Sequence, residues 1–130
     1  MFATLADGWP FGSVVLVARD DRGWPLLLLS DLAEHTRNLR RSPRASLLFD
    51  GTADFAEPLA GPRLTLLGEV TEAPEAAGLQ RYVARHPAAA LWAGMADFRL
   101  YRLAPARAYL VAGFGRIVWI EVRELFSFSD

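Results

Sequence analysis

Short apolar runs separated by turn residues make up most of the 130-residue sequence. Runs of this kind, rich in β-branched residues or leucine and bounded by glycine, proline or aspartate, are typical of strands. The predicted strands are residues 2–5, 11–19, 26–29, 44–49, 63–71, 97–103, 108–112 and 117–122. Because short turns join most of them, the pattern favours a mainly β chain that forms a closed or nearly closed antiparallel barrel.

The segment 24–49 places one basic helix between two buried strands. Asp31 and Glu34 have the D-x-x-E spacing of a capping box, which predicts that the helix begins near Leu32. Pro43 ends the helix, because proline disfavours helical geometry in the residue before it. The helical period turns Leu32, Thr36 and Leu39 inward and Arg37, Arg40 and Arg41 outward. These arginines fit either a solvated helix face or a phosphate site.

Glycine, proline and aspartate mark the remaining turns and caps. They predict a hairpin turn at Asp7-Gly8, a β-bulge at Gly68, a second helix starting at Pro74-Glu75, a reversal at Ala104-Pro105 and a corner at Gly113-Phe114-Gly115. The loop 50–62 is long for a compact domain, and long ordered loops often carry function or cover a site.

Composition narrows the possible function classes. A length of 130 residues fits one domain, residues 1–130, and the 52% hydrophobic share suggests apolar surface buried against a partner. A net charge of −1 gives no field for nucleic acid or an anionic membrane. The absence of cysteine and lysine excludes disulfides, thiolate nucleophiles and Schiff-base chemistry. No apolar run reaches membrane-spanning length and residues 1–10 lack a signal-peptide pattern, so we expect a cytoplasmic protein.

Common catalytic motifs are missing from the sequence. There is no dinucleotide fingerprint, phosphate-binding loop, H-E-x-x-H or nucleophile elbow. His86 precedes Pro87 and is best interpreted as a helix end. His35 lies in the basic helix and is equally compatible with packing and with ligand contact. Residue chemistry alone therefore predicts a small β-barrel with a candidate anion site.

Four segments in order, SDLAEHTRNL, SPRASLLF, GPRLTLLGEV and FRLYRLAPARAYLVAGFGR, carry a family resemblance. The chain resembles the pyridoxamine 5′-phosphate oxidase-like superfamily of FMN-binding split barrels, and within it the branch related to haem-utilisation proteins. The S-x-L-x-x-H-T-x-N-L segment and the late G-F-G match that branch, and the resemblance runs from Ala3 to Arg116. It implies an antiparallel Greek-key split barrel that forms a homodimer with one FMN per subunit at the interface.

The resemblance also assigns site residues. It implies that Ser13, Val14 and Val15 lie along the flavin ring, and that Ser30 and Asp31 lie near the ribityl phosphate. By the same resemblance, Thr36 and Arg37 hold the phosphate, and Arg63 reaches the flavin from its own or the partner subunit. These cofactor-binding residues are an expectation from the family, and no catalytic residue is assigned.

The function implied is that of a flavin-dependent oxidoreductase acting on an unassigned small molecule. The alternative is a haem-binding or haem-degrading protein, in which His35 is the candidate iron contact. A third possibility is a non-catalytic flavin-binding module. The haem-cleaving branch continues into a further C-terminal domain, whereas this sequence ends at Asp130, so FMN binding is the first expectation.

Overall fold

The computed structural model describes residues 1–126, which form eight strands, three short helices and two 3-10 turns. The strands are β1 (Phe2–Ala6), β2 (Trp9–Ser13), β3 (Ala18–Arg19), β4 (Pro25–Ser30), β5 (Arg44–Asp50), β6 (Arg63–Glu72), β7 (Phe98–Gly113) and β8 (Arg116–Ile120). The helices are α1 (Glu34–Arg41), α2 (Ala76–Arg85) and α3 (Val122–Leu125), and the 3-10 turns are Pro58–Ala60 and Pro87–Leu91.

All strand pairs within the described residues are antiparallel, in the order β2-β1-β5-β6-β7-β4-β3. Strand β7 pairs with β6 along one edge, while its other edge pairs first with β4 and then with β8. One long strand therefore belongs to two parts of the sheet, and the order is left open between β3 and β2. The prediction of a mainly β antiparallel barrel is confirmed.

The four consecutive leucines of β4 are buried from both sides of the sheet. Leu27 and Leu29 belong to the barrel core, which also contains Phe2, Leu47, Leu66 and Leu103. Leu26 and Leu28 belong to a second cluster, in which Tyr82 of α2 and Ala89 pack on the outside of the sheet. Because successive side chains of a strand point to opposite faces, only a strand covered on both faces needs an uninterrupted apolar run.

One predicted turn and one predicted bulge agree with the structure. Asp7 and Gly8 both have positive φ, at 51° and 85°, as a tight two-residue hairpin between β1 and β2 requires. The register between β6 and β7 shifts at Leu67/Gly68. A Cβ on Gly68 would collide with the carbonyl oxygen of Ala104, so the close approach of the two strands requires glycine.

Two predicted strand boundaries are wrong. Residues 11–19 do not form one strand, because β2 ends at Ser13 and Val15 and Val17 then pack against the barrel core before β3 begins. Ala104-Pro105 does not reverse the chain, since β7 continues through it to Gly113. Pro105 is tolerated there because it lies opposite the Gly68 bulge, where the ladder of hydrogen bonds is already interrupted.

The predicted capping box of α1 is also wrong. The helix begins at Glu34, its N-cap residue Ala33 forms no side-chain cap, and Leu32 is 71% exposed. Asp31 cannot cap the helix because its carboxylate binds two arginines from elsewhere in the chain. Thr36 and Leu39 are buried as predicted, and Asn38 is buried with them.

A buried ion pair fixes the loop between β3 and β4. The carboxylate of Asp20 accepts the backbone N–H groups of Arg22 and Trp24 at 2.8 and 2.9 Å. It also accepts the Nε–H of Arg102 at 2.7 Å, and Arg102 reaches Glu75 in front of α2 at 3.3 Å. Removing one partner from such a pair typically costs about 3–5 kcal/mol, because the other charge stays buried. This contact joins β7, the β3–β4 loop and α2.

Candidate functional site

The carboxyl end of β4 is tied to both α1 and β7. The hydroxyl of Ser30 donates to Asp97 at 3.3 Å and accepts the N–H of Leu32 at 3.1 Å. The carboxylate of Asp31 accepts from Arg40 at 2.9 Å and from Arg99 at 3.2 Å. Both predicted site residues of this strand thus have protein partners that fix the position of α1.

The end of β2 contacts the start of α1 through a hydrogen bond between Ser13 and His35. The Ser13 Oγ and His35 Nδ1 atoms are 3.0 Å apart, and the ring of Phe2 meets the imidazole edge-on at 5.8 Å. Burial lowers the pKa of His35 below its ordinary value of 6.5. The imidazole is therefore neutral at pH 7, with one nitrogen held by Ser13.

The two residues that follow Ser13 point to opposite environments. Val14 is 83% exposed, whereas Val15 is half-buried against the barrel core. Leu32, three residues before His35, is exposed as well. An exposed apolar side chain thus lies close in sequence to each member of the Ser13–His35 pair, directly after Ser13 and three residues before His35.

Thr36 and Arg37 lie next to each other on α1 but differ in accessibility. Thr36 is fully buried, and its hydroxyl has no hydrogen-bond partner among residues 1–126. Arg37 is exposed and forms no ion pair within the same residues. The structure therefore leaves the guanidinium of Arg37 accessible to an anion, while the Thr36 hydroxyl is out of reach of solvent.

Arg63 at the start of β6 belongs to a different part of the barrel. Its guanidinium donates to the carbonyl oxygens of Leu59 and Gly61 at 3.0 and 3.1 Å, which closes the 51–62 loop. It lines a groove of about 360 Å³ together with Phe49 and Leu110. The hydrogen bonds of Arg63 thus hold its own loop. The residues that the structure brings together within the subunit are Ser13 and His35.

Sequence reasoning missed the polar pair beneath α1. The amide of Asn38 donates to the hydroxyl of Thr4 at 3.0 Å, and both side chains are buried. The only sequence signal was a polar residue beside inward-facing Leu39. This pair fixes α1 against β1 and so positions His35 one turn earlier.

Residues 1–126 contain neither a candidate metal site nor a candidate membrane-spanning helix. No group of three histidine, cysteine or carboxylate side chains could hold a metal ion there. No helix in this part of the chain is long and apolar enough to cross a membrane.

A model of the CREG β-barrel family matches residues 3–127. The chain belongs to this family. Its fold is the split barrel of pyridoxamine 5′-phosphate oxidase-like proteins, with haem-utilisation proteins among the structural neighbours, as the sequence resemblance predicted.

Relatives more than 30% identical to the chain over the aligned residues include a curated protein and a solved structure. The non-canonical heme oxygenase HOZ, chloroplastic, of Arabidopsis thaliana is 38% identical over 115 residues, 86% of this chain and 35% of that protein. A structure described as a heme binding protein from Mycobacterium smegmatis is 31% identical, with a TM-score of 0.83 over 92% of this chain and 50% of that one. The chain thus spans half or less of the length of both relatives.

A second solved structure shows the fold alone. HutZ, described as a heme storage protein from Vibrio cholerae, is 23% identical and has a TM-score of 0.72, covering 86% of this chain and 83% of that one.

The lowered pKa of His35 predicts a pH-dependent stability. The unfolded chain binds the proton at a higher pH than the folded chain, so this histidine stabilises the fold above pH 6.5, its ordinary pKa. That contribution is lost as the pH falls through the folded-state pKa. We expect His35→Gln to lose less stability than the parent between pH 7.5 and pH 5, measured by urea unfolding. Parallel pH profiles for the two proteins would contradict this.

Proposed function

We propose that this domain binds haem and that His35 provides the iron ligand. The observation that carries the proposal is the hydrogen bond between Ser13 Oγ and Nδ1 of a neutral, half-buried imidazole. The names of two relatives above 30% identity, a heme oxygenase and a heme binding protein, support haem as the ligand class.

The geometry of the pair suits an imidazole ligand. If Nδ1 carries the proton and donates to Ser13 Oγ, the lone pair of Nε2 is free to bind iron. Metal-binding histidines generally have their second nitrogen fixed in this way, which sets both the tautomer and the ring orientation. The lowered pKa of His35 favours the neutral form that binding requires.

The surroundings also fit an apolar macrocycle. Val14 and Leu32 are 83% and 71% exposed, and each is close in sequence to one member of the Ser13–His35 pair. Apolar side chains left in water are stabilised when a flat hydrophobic ligand covers them. Bound haem would supply a redox-active iron. Because the chain spans 35% of the heme oxygenase relative, we propose binding for this domain without a cleavage step.

A haem titration tests this proposal. We expect His35→Ala to abolish the Soret shift seen on adding haem to the parent protein. Ser13→Ala should weaken binding by about 10–100-fold, as loss of a residue that orients a metal ligand usually does. His86→Gln is the control, because the His86 ring already contacts the carbonyl oxygen of Val17 at 2.9 Å. A His35→Ala titration identical to that of the parent would exclude this histidine as the ligand.

We further propose that the protein is a homodimer. Strand β8 exposes three consecutive apolar side chains, Ile117, Val118 and Trp119, at 60%, 49% and 49%. Successive strand residues face opposite sides, so both faces of β8 present apolar surface to water. Trp119 is held in place by Tyr109 at 4.7 Å and by the guanidinium of Arg107 over its ring at 3.8 Å. Ordered, exposed aromatic surface of this kind is typical of interfaces.

Light scattering tests the assembly. We expect a dimer at micromolar concentration that persists in high salt, because apolar burial is not screened like surface charge. Ile117→Asp should give a monomer, since it places a charge in the apolar surface of β8. Leu91→Asp, at an exposed site next to α2, should leave the dimer intact. A monomeric parent protein would refute the proposal.

FMN at the dimer interface is the second candidate function. The observation in its favour is that the Ser13–His35 hydrogen bond joins the predicted ring-binding segment to the predicted phosphate-binding helix. On that helix Arg37 is exposed and lacks a protein partner within residues 1–126. Arg63 would reach the flavin from the partner subunit. A bound flavin would supply redox chemistry, with the protein supplying its position and electrostatics.

Arg37 provides the test for FMN. A charge-assisted hydrogen bond to phosphate contributes about 1.5–3 kcal/mol, so Arg37→Ala should lower FMN affinity roughly 10- to 100-fold in fluorescence titrations. The melting temperature should hardly change, because the side chain is exposed. Arg41→Ala is the matched control, since Arg41 forms only an exposed ion pair with Asp7. Equal FMN affinity for Arg37→Ala and the parent would mean that the arginine is simply solvated.

A further inference from the structure

A groove of about 750 Å³ occupies the open side of the barrel, between β3 and β5. Its floor is apolar and includes Val17 and Leu47, and its far wall is formed by the last two turns of α2. The volume lies within the range of about 300–1,000 Å³ that is usual for sites that bind small molecules.

The groove adjoins a second pocket. A smaller pocket of about 200 Å³ shares Val17, Arg19, Gly23 and Phe49 with it. Beyond these shared residues, the pocket is lined only by apolar side chains, which are Pro25, Leu64, Leu66, Leu125 and Phe126. The cavity therefore has a wide outer part and an apolar inner part.

The outer part carries positive charge. Arg19 comes from β3 and Arg81 and Arg85 come from α2. Arg81 makes one long contact, 3.5 Å, to the carbonyl oxygen of Asp20. Arg19 and Arg85 have no hydrogen bond or ion pair within residues 1–126. Three guanidinium groups at the mouth of an apolar cavity are complementary to an anion with an apolar body.

Two acidic residues also line the groove, Asp20 and Asp21. The carboxylate of Asp20 is buried and is already neutralised by Arg102 and two backbone N–H groups. Asp21 is exposed on the loop. The net charge offered to a ligand is therefore positive.

We propose that this groove binds an amphipathic carboxylate. The apolar body occupies the inner pocket beside Phe49 and Leu64, and the carboxylate meets Arg19, Arg81 and Arg85. A fatty acid and a porphyrin with propionate groups share this chemistry. The site uses β3, β5, β6, α2 and α3, whereas the iron contact proposed above uses β2 and α1, so the two can be tested separately.

Metal-free ligands test the groove without involving His35. Dodecanoate below its micellar concentration is compared with dodecyltrimethylammonium, which has the same tail and the opposite charge. Protoporphyrin IX is compared with its dimethyl ester, which lacks the free propionates. Binding is measured by calorimetry and porphyrin fluorescence on the parent protein, on Arg81→Ala/Arg85→Ala and on Arg44→Ala/Arg116→Ala. The last variant loses the same charge at exposed positions outside the groove.

We expect the free acids to bind the parent protein more tightly than the cationic or esterified compounds. Arg81→Ala/Arg85→Ala should lower that affinity by about tenfold or more, while the control variant keeps it. Binding of dodecanoate alone would identify a fatty-acid site, and binding of the porphyrin alone a propionate site. Equal affinity for dodecanoate and dodecyltrimethylammonium, or for protoporphyrin IX and its dimethyl ester, would overturn the proposal. So would an affinity that the arginine substitutions leave unchanged. Melting curves confirm that each variant folds.

Discussion

Burial of the leucine strand from both sides is the constraint on which the rest of the structure depends. Leu27 and Leu29 face the barrel core, and Leu26 and Leu28 face α2 and the 3-10 turn after it. A strand that is apolar on both faces cannot lie on the surface of a barrel unless other elements cover it. The α2 region therefore packs against the outside of β4, and the Asp20–Arg102–Glu75 contacts tie it to the β3–β4 loop and β7.

The same strand positions the candidate site. At the end of β4, Ser30 still pairs with Phe98, and the side chains of Ser30 and Asp31 bind Asp97, Arg40 and Arg99. These contacts fix the start of α1, and the buried Asn38–Thr4 pair fixes its inner face against β1. His35 is thus held between two anchored points of one short helix, which explains how it meets Ser13 at 3.0 Å. Sites built on packed elements in this way hold their geometry better than sites on loops.

Local patterns predicted the fold well wherever the pattern and the packing require the same residue. The leucine run, the Asp7-Gly8 hairpin and the Gly68 bulge each have one physical solution, so sequence was enough to predict them. Prediction failed where a distant partner decides the outcome. The Asp31 cap is lost to Arg99, which is 68 residues away, and the Pro105 turn is lost because β6 and β8 hold β7 extended.

Prediction of the candidate site likewise succeeded for local features and failed for contacts between distant residues. The importance of α1 could be inferred from its composition, and the family resemblance added Ser13 at the end of β2. The contact between Ser13 and His35 depends on how α1 packs against β1, with which Ser13 is paired, and no local pattern encodes that packing. Buried Asn38 was missed for a similar reason, since its partner Thr4 lies 34 residues earlier.

The two candidate ligands make different demands on α1. At 3.6 residues per turn, His35 and Arg37 point about 160° apart around the helix axis. A ligand bound through the imidazole and one bound through the guanidinium therefore approach from different sides of the helix. The side of His35 is defined within one subunit, because Ser13 and Phe2 hold the ring. Arg37, on the other side of α1, has no hydrogen bond or ion pair among residues 1–126 that would hold its guanidinium in place. An ordered phosphate site there would therefore need further donors from a partner subunit. The proposed haem binding at His35 would thus depend on contacts that one subunit already makes, whereas the proposed FMN binding would depend on the proposed dimer.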